Sequence, residues 1–393
     1  MSTATKMIYV DNAATTRVLP EVYEAMAPYF IENFGNPSSI HNIGVIAKEA
    51  VEAARKKIAN ALSCFPDEIV FTSGGTEADN TALIGVALAS DKKKIITSKI
   101  EHPAILNCCG FLSKIGYNAS YTNANADGII NIEGLSNSIT DDTAIVSVMM
   151  VNNETGVVQP YFEIGELAHR HAALYVCDAV QGIGAVPISF SSSNVDLMCL
   201  SGHKLGAPKG IGLLIVRRGT PFYPFLHGGG QERGMRSGTE NVAGIVGLSI
   251  AIEKAISRDY HDGIWQMKRR LINCIEQIPL SHINGSLEHT VPGILNVSFD
   301  YVNGYDLVSY LSAKGIYASS SSACASSTGK PSHVLLAMGY SDERAKSSLR
   351  FSLSRFNTMD EINKICEILP NAVHFLRKQN PTYINRKGEF KDE

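Results

Sequence analysis

The middle of the chain repeats one hydrophobic pattern: a short apolar run, a turn of polar or small residues, then a stretch with helical spacing. The runs fall at 68–72, 94–98, 144–151, 174–177, 196–200 and 212–216. Helical patterns such as 76–89 and 163–171 lie between them. Strands alternating with helices predict βαβ units, hence an α/β fold with a mostly parallel sheet covered on both faces. Ligands of such sheets bind beyond the carboxyl ends of the strands. The polar residues that follow each run are therefore where chemistry is expected.

After about residue 255 the pattern changes. A charged helical stretch, 252–278, leads into shorter elements around 293–299, 307–314 and 350–353. This predicts a large domain over 15–255 and a smaller α+β domain built from 1–14 and 256–393. Within the smaller one, 319–328 is Ser-Ser-Ser-Ser-Ala-Cys-Ala-Ser-Ser-Thr, a biased composition that reads as a mobile loop, placed at 319–330.

Composition narrows the function classes. Lys plus Arg number 35 against 38 Asp plus Glu, a formal net charge of -3, so no global basic field exists for nucleic acid or anionic membrane. No apolar run approaches the roughly 18–20 residues of a membrane span. The start, Met1-Ser-Thr-Ala-Thr-Lys6, lacks the apolar core of a secretory signal. The expectation is therefore no direct nucleic-acid partner and no membrane. Eight cysteines are scattered at 64, 108, 109, 177, 199, 274, 324 and 366, with no Cys-x-x-Cys pair and no metal site. Cys177 and Cys199 lie inside apolar runs and read as buried, inert thiols. A reducing cytoplasm is the expected compartment.

The strand ends carry the candidate chemistry. Phe71-Thr-Ser-Gly-Gly-Thr-Glu77 follows a strand and opens a helix, where Gly75 and Thr76 can offer backbone N–H groups to an anion. It is neither a Walker motif nor a dinucleotide fingerprint, and a plain helix start capped by Thr76 is the ordinary alternative. Other strands end in Glu101-His102-Pro103, Asn152-Asn153-Glu154 and Asp178-Ala179-Val180-Gln181. A carboxylate such as Asp178 at the mouth of a buried strand is costly unless it meets a cation. Finally, Ser201-Gly-His-Lys204 places a lysine just past a strand, where desolvation can turn it into a nucleophile for an aldehyde. A loop lysine is ordinarily just solvated. An anion cup, an acidic partner and a lysine together are nevertheless the parts that a pyridoxal 5'-phosphate site requires.

These strings, with Ile8-Tyr-Val-Asp-Asn-Ala-Ala-Thr-Thr16, Asn33-Phe-Gly-Asn-Pro-Ser38, His227-Gly-Gly-Gly-Gln-Glu-Arg-Gly-Met-Arg-Ser-Gly-Thr239, Ser322-Ala-Cys324 and Ser348-Leu-Arg-Phe-Ser352, resemble the cysteine desulfurases of the class V aminotransferase superfamily. Their order and spacing run from Ile8 to about Phe356. The serine loop matches the NifS/IscS-like group, although Ser321 stands where Gly is usual and Ala325 where Thr is usual. The C-terminal tail, 377–393, does not resemble the scaffold-docking tail of that group's housekeeping members.

The resemblance implies the pyridoxal-phosphate fold type I and conversion of L-cysteine to L-alanine, with the sulfur passing to Cys324 as a persulfide. It implies Lys204 as the lysine that holds the cofactor and moves the substrate's α-proton. Asp178 would face the pyridine nitrogen, Gln181 the phenolic oxygen, and His102 would stack on the ring and serve in acid–base steps. Gly75, Thr76, Ser201 and His203 would bind the phosphate, with Thr239 reaching in from the other subunit of a homodimer. Asn153 would line the site, Arg350 would pair with the substrate carboxylate, and Asn36 is a further candidate there. A sulfur-acceptor protein is also implied, either an iron–sulfur scaffold or a thiolation relay. Selenocysteine remains an alternative substrate of the same site.

Overall fold

The apolar runs assemble into a seven-stranded sheet in the computed structural model, which describes residues 7–320 and 330–386. Across the sheet the order is Ile69–Thr72, Gly212–Val216, Leu197–Ser201, Leu174–Asp178, Thr143–Ser147, Lys94–Ser98 and Asn118–Thr122. Gly212–Val216 runs antiparallel to both neighbours, and the other pairings are parallel. The side chains alternate between two apolar layers, as the two-residue period of a strand demands. Ile69, Phe71, Ile96, Val146, Leu213 and Ile215 join one layer, whereas Val70, Ile95, Ile145 and Leu214 join the other. The first layer is closed by the helices Asn42–Leu62, Tyr161–Arg170 and Val242–Ser257. The second is closed by Gly75–Leu88 and Pro103–Lys114. Burial on both faces explains why these strands read as unbroken apolar runs.

One glycine is required by close approach. A Cβ on Gly212 would lie 2.6 Å from the Leu200 carbonyl oxygen and 2.7 Å from Gly74 Cα. The turn that opens helix Gly75–Leu88 therefore lies directly against the antiparallel strand.

A second sheet is wholly antiparallel, in the order Ser319–Ser320, Ser348–Ser352, Ile294–Phe299 and Ser281–Ile283. Val297, Phe299, Leu349 and Phe351 pack on Leu271 and Ile275 of helix His261–Ile275, Leu307 and Leu311 of Gly304–Ala313, and Ile365 and Leu369 of Met359–Arg377. Ile8 and Val10 from the other end of the chain share this core, and Ile8–Tyr9 pairs in parallel with Ile316–Tyr317.

Three expectations change. The helix foreseen over 252–278 is two helices, because Arg258 adopts a left-handed conformation (φ 55°) after Ser257 and the chain restarts at His261. No Gly or Pro marks that break in the sequence. The run 144–151 leaves the sheet at Ser147, and Val148–Val151 continue as buried loop. The edge strand Asn118–Thr122 was not foreseen, since its half-exposed Asn-Ala-Ser-Tyr-Thr carries no apolar run. Cys177 and Cys199 are fully buried as expected, and burial pushes both thiols up from their ordinary value. Among the described residues, no helix is long and apolar enough to cross a membrane.

The glycine-rich segment 227–239 is fixed by a buried ion pair. Glu232 accepts from Arg55 Nη1 and Nη2 at 2.9 and 2.7 Å and from the Phe71 amide at 3.0 Å. Both side chains are 3% exposed. Removing one partner leaves an uncompensated buried charge, which costs about 3–5 kcal/mol. Glu232→Ala should thus lower unfolding free energy by about that amount in urea titrations. A loss below about 1 kcal/mol, the scale of an exposed pair, would contradict this reading.

Candidate active site

The carboxyl ends of the central strands open onto one cavity of about 410 Å³. Its wall includes Gly75, Thr76, His102, Asn153, Asp178, Gln181, Ser201, His203, Lys204 and Arg350, so ten of the thirteen residues expected from the sequence line one space. Its size suits a small organic ligand. Each element delivers its residue for a local reason. Strand Leu197–Ser201 ends at Ser201 and turns through a single 3₁₀ turn, Gly202–Lys204, which lifts Lys204 over the sheet. Strand Leu174–Asp178 ends at Asp178 itself. His102 caps helix Pro103–Lys114, its Nδ1 accepting from the Ala104 amide at 3.2 Å. Helix Gly75–Leu88 presents its N-terminus at Gly75 and Thr76, where the helix dipole and unpaired N–H groups favour an anion.

The Lys204 ammonium donates to the carbonyl oxygens of Ala13 at 2.6 Å and Ala14 at 2.8 Å. Gln181 Nε2 also donates to Ala13, at 3.0 Å. Asp178 is 6% exposed and accepts from the Val180 amide at 2.9 Å. Burial raises this carboxyl to about 6, against the lowering effects of that amide bond and the Lys204 charge. Burial has the opposite sign for imidazole. It lowers His102 to about 4, helped by the charges of Lys204 and His333. His203 falls to about 4 by burial, then by Lys204 and Lys209, while its Nδ1 lies 3.1 Å from Thr15 Oγ1. With Nδ1 of His102 engaged as an acceptor, the neutral ring carries its proton on Nε2.

Arg350, 3% exposed, donates from Nη2 to Asp11 Oδ1 and from Nη1 to the Asn153 carbonyl oxygen, both at 2.9 Å. Its buried Nε has no partner among the described residues. A guanidinium N–H so placed on a cavity wall fits an anionic ligand group. Asp79 also lines the cavity, on the buried side of helix Gly75–Leu88, with Oδ1 unpartnered and its carboxyl held well above the ordinary range by burial and by Asp178. Sequence reasoning passed over Asp79. The signal was there, a carboxylate inside the apolar helical stretch Ala78–Leu88. The Asp11 carboxylate was passed over as well, and the carbonyls of Ala13 and Ala14 were missed because backbone acceptors leave no mark on side-chain chemistry.

Two expected residues lie elsewhere. Asn36 is exposed and accepts from the Ser38 amide at 2.9 Å, so within this chain it does not reach the cavity. Thr239 is exposed and also stands apart from it, although its segment is tied to the cup by Arg236, which binds Glu77 at 2.8 and 3.1 Å. Cys324 lies outside the described residues.

Residues 8–365 match the family model for Aminotransferase class-V. A "Cysteine desulfurase IscS" of Methanosarcina thermophila is 47% identical over 385 residues, 97% of this chain and 95% of that protein. A solved "NifS-like protein" superposes with TM-score 0.89 at 37% identity, over 94% of this chain and all of that one. The structure described as "SspA in complex with cysteine" gives TM-score 0.80 at 36% identity, over 89% of this chain and 100% of its own. With a family match over most of its length and such relatives along nearly all of it, the chain belongs to the class V aminotransferase family and, within it, to the cysteine desulfurases.

Proposed function

We propose that the cavity holds pyridoxal phosphate on Lys204 and that the chain transfers sulfur from L-cysteine to its own Cys324, releasing L-alanine. The observation that carries this is the convergence of Lys204, Asp178, His102, the Gly75–Thr76 helix start and Arg350 on one cavity. Bound there, pyridoxal phosphate supplies an electron sink that weakens the substrate's bonds at Cα and, beyond it, the bond from Cβ to sulfur.

The chain's own residues do the rest. The Gly75 and Thr76 amides, Ser201 and His203 would hold the phosphate, with neutral His203 acting as a hydrogen-bond donor. Asp178, whose carboxyl the Lys204 charge pulls part of the way back from the effect of burial, would face the pyridine nitrogen, and Gln181 the phenolic oxygen. His102 would stack on the ring as a neutral imidazole. Arg350, braced by Asp11 and the Asn153 carbonyl, keeps Nε for the substrate carboxylate. The Lys204 amine takes the proton from Cα and returns one to the carbon skeleton. The Cys324 thiolate attacks the substrate sulfur, so an S–S bond forms on the enzyme as the Cβ–S bond breaks and Cβ gains a proton. One cysteine and one thiol thus give one alanine and one persulfide. Cys324 is tethered four residues beyond Ser320, a reach of about 14 Å. Ser319 pairs with Arg350 of the cavity wall, so the tether starts beside the substrate's place.

A homodimer accounts for the residues left outside. Thr239 and Asn36 are exposed, and Phe30, Ile31, Phe34 and Ile40 around Asn36 present apolar surface to solvent. In this reading Thr239 completes the partner's phosphate site. The separate core of the second sheet supports a division into a large domain over 15–255 and a small one from 1–14 and 256–393. The sulfur acceptor is a protein of the iron–sulfur scaffold or thiolation-relay class, and the compartment is the cytoplasm.

Purified holoenzyme given L-cysteine should form alanine and, with a reductant, sulfide in equal amounts. Lys204→Ala should lower the rate by at least about 10²–10⁴-fold. Cys324→Ser should still change the cofactor spectrum on adding cysteine while sulfide and alanine collapse, since a hydroxyl is a far weaker nucleophile than a thiolate. Alanine formed by Cys324→Ser at the wild-type rate would sink the persulfide reading. His102 gives a pH test in the cofactor-free protein. Its folded value of about 4 lies below the ordinary 6.5, so the ring should be neutral in ¹⁵N NMR at pH 6. A titration midpoint near 6.5 would show that burial and Lys204 do not act on it as argued.

A further inference from the structure

Four of the free thiols, Cys108, Cys109, Cys177 and Cys199, are buried within the core of the large sheet, where a cysteine acts as a small hydrophobe. Cys274 and Cys366 are placed differently. They face each other between helices His261–Ile275 and Met359–Arg377, on the far side of the second sheet's core from the cavity residue Arg350. The Cys274 thiol approaches the Cys366 carbonyl oxygen at 3.6 Å, and the Cys366 thiol approaches the Arg270 carbonyl oxygen at 3.9 Å. Each sulfur thus reaches the backbone of the opposite helix, and the two thiols lie close enough to shift each other's ionisation. Cys274 is 8% exposed, whereas Cys366 is half-exposed.

We propose that Cys274 and Cys366 form a dithiol site that closes reversibly to a disulfide on reaction with a low-molecular-weight disulfide. The accessible Cys366 is the attacking thiol. The neighbouring Cys274 thiol favours its thiolate, and the Arg270 charge adds to this. Its sulfur bonds to one sulfur of the reagent, whose own S–S bond breaks and releases one half as a thiol. Cys274 then gives up its proton to solvent and attacks Cys366 Sγ, expelling the second half. One reagent disulfide is reduced to two thiols, and two protein thiols are oxidised to one bond. The bond joins the two helices that cover the second sheet. Because it closes a long loop, it raises the thermal midpoint of the oxidised protein. The site uses none of the groups around Lys204, and it stands or falls independently of the desulfurase reading.

The test uses holoenzyme and bis(2-hydroxyethyl) disulfide, a reagent without the amino and carboxylate groups that the cavity recognises. After blocking of free thiols and digestion, mass spectrometry should find the Cys274 and Cys366 peptides joined, with the loss of two hydrogen atoms, and dithiothreitol should separate them. Cys274→Ser should stop at a mixed disulfide on Cys366. Cys366→Ser should leave Cys274 at least tenfold slower to react, because it is buried. Both variants should retain sulfide and alanine formation at the wild-type rate. Recovery of both cysteines as free thiols, or a mixed disulfide on wild-type Cys366 that never closes, would overturn the proposal. So would a Cys274 that reacts as fast without Cys366 as with it.

Discussion

Asp178 ends a strand whose neighbours are all buried, and an ionised carboxylate there is stable only if a cation answers it. Much of the site is arranged around this one charge. Lys204 is brought past the end of the adjacent strand, and its field opposes the effect of burial on Asp178. The same burial and the same lysine act on His102 and His203 with the reverse sign, holding both rings neutral. The Lys204 charge thus only partly offsets burial at Asp178, whose carboxyl stays raised to about 6, while the two buried imidazoles are kept neutral. That combination favours a ligand with a cationic ring nitrogen at one end and an anion at the other, where the helix start at Gly75 waits.

The segment Asp11–Ala14 joins the two sheets around this charge. The Ala13 amide donates to Ser352 Oγ at 2.9 Å, and Asn12 Nδ2 donates to the Ser352 carbonyl oxygen at 2.8 Å. From that anchor on the second sheet, the Ala13 and Ala14 carbonyls reach the Lys204 ammonium. Asp11 meanwhile holds Arg350 of the same strand that carries Ser352. The lysine proposed to bind cofactor and the arginine proposed to face substrate are therefore set by four consecutive residues. Neither sheet alone positions both groups.

Much of this was legible in the sequence because it depends on local rules. Fully buried strands show as apolar runs, and strand-end residues such as Asp178, Gln181 and Lys204 stand out directly after them. Features without a local signature were not legible. Arg258 breaks a helix through its own left-handed turn, with no glycine to announce it. Asn118–Thr122 takes its strand conformation from pairing with Lys94–Ser98 rather than from apolar content. Asp79 was hidden because a carboxylate on a helix is ordinarily solvated, and only packing shows that this one is not. Nothing in the local sequence showed that Asn36 and Thr239 stand exposed and apart from the cavity within this chain.

The central claim is that the charge pattern around Asp178 prepares one particular lysine to hold the cofactor. Borohydride fixes the cofactor covalently to the lysine that carries it, and peptide mapping then identifies that residue. The account predicts the cofactor's mass on Lys204, and its loss from the peptide map in Lys204→Ala. Finding it instead on Lys209, the next lysine along the chain, or on any other lysine would contradict the account.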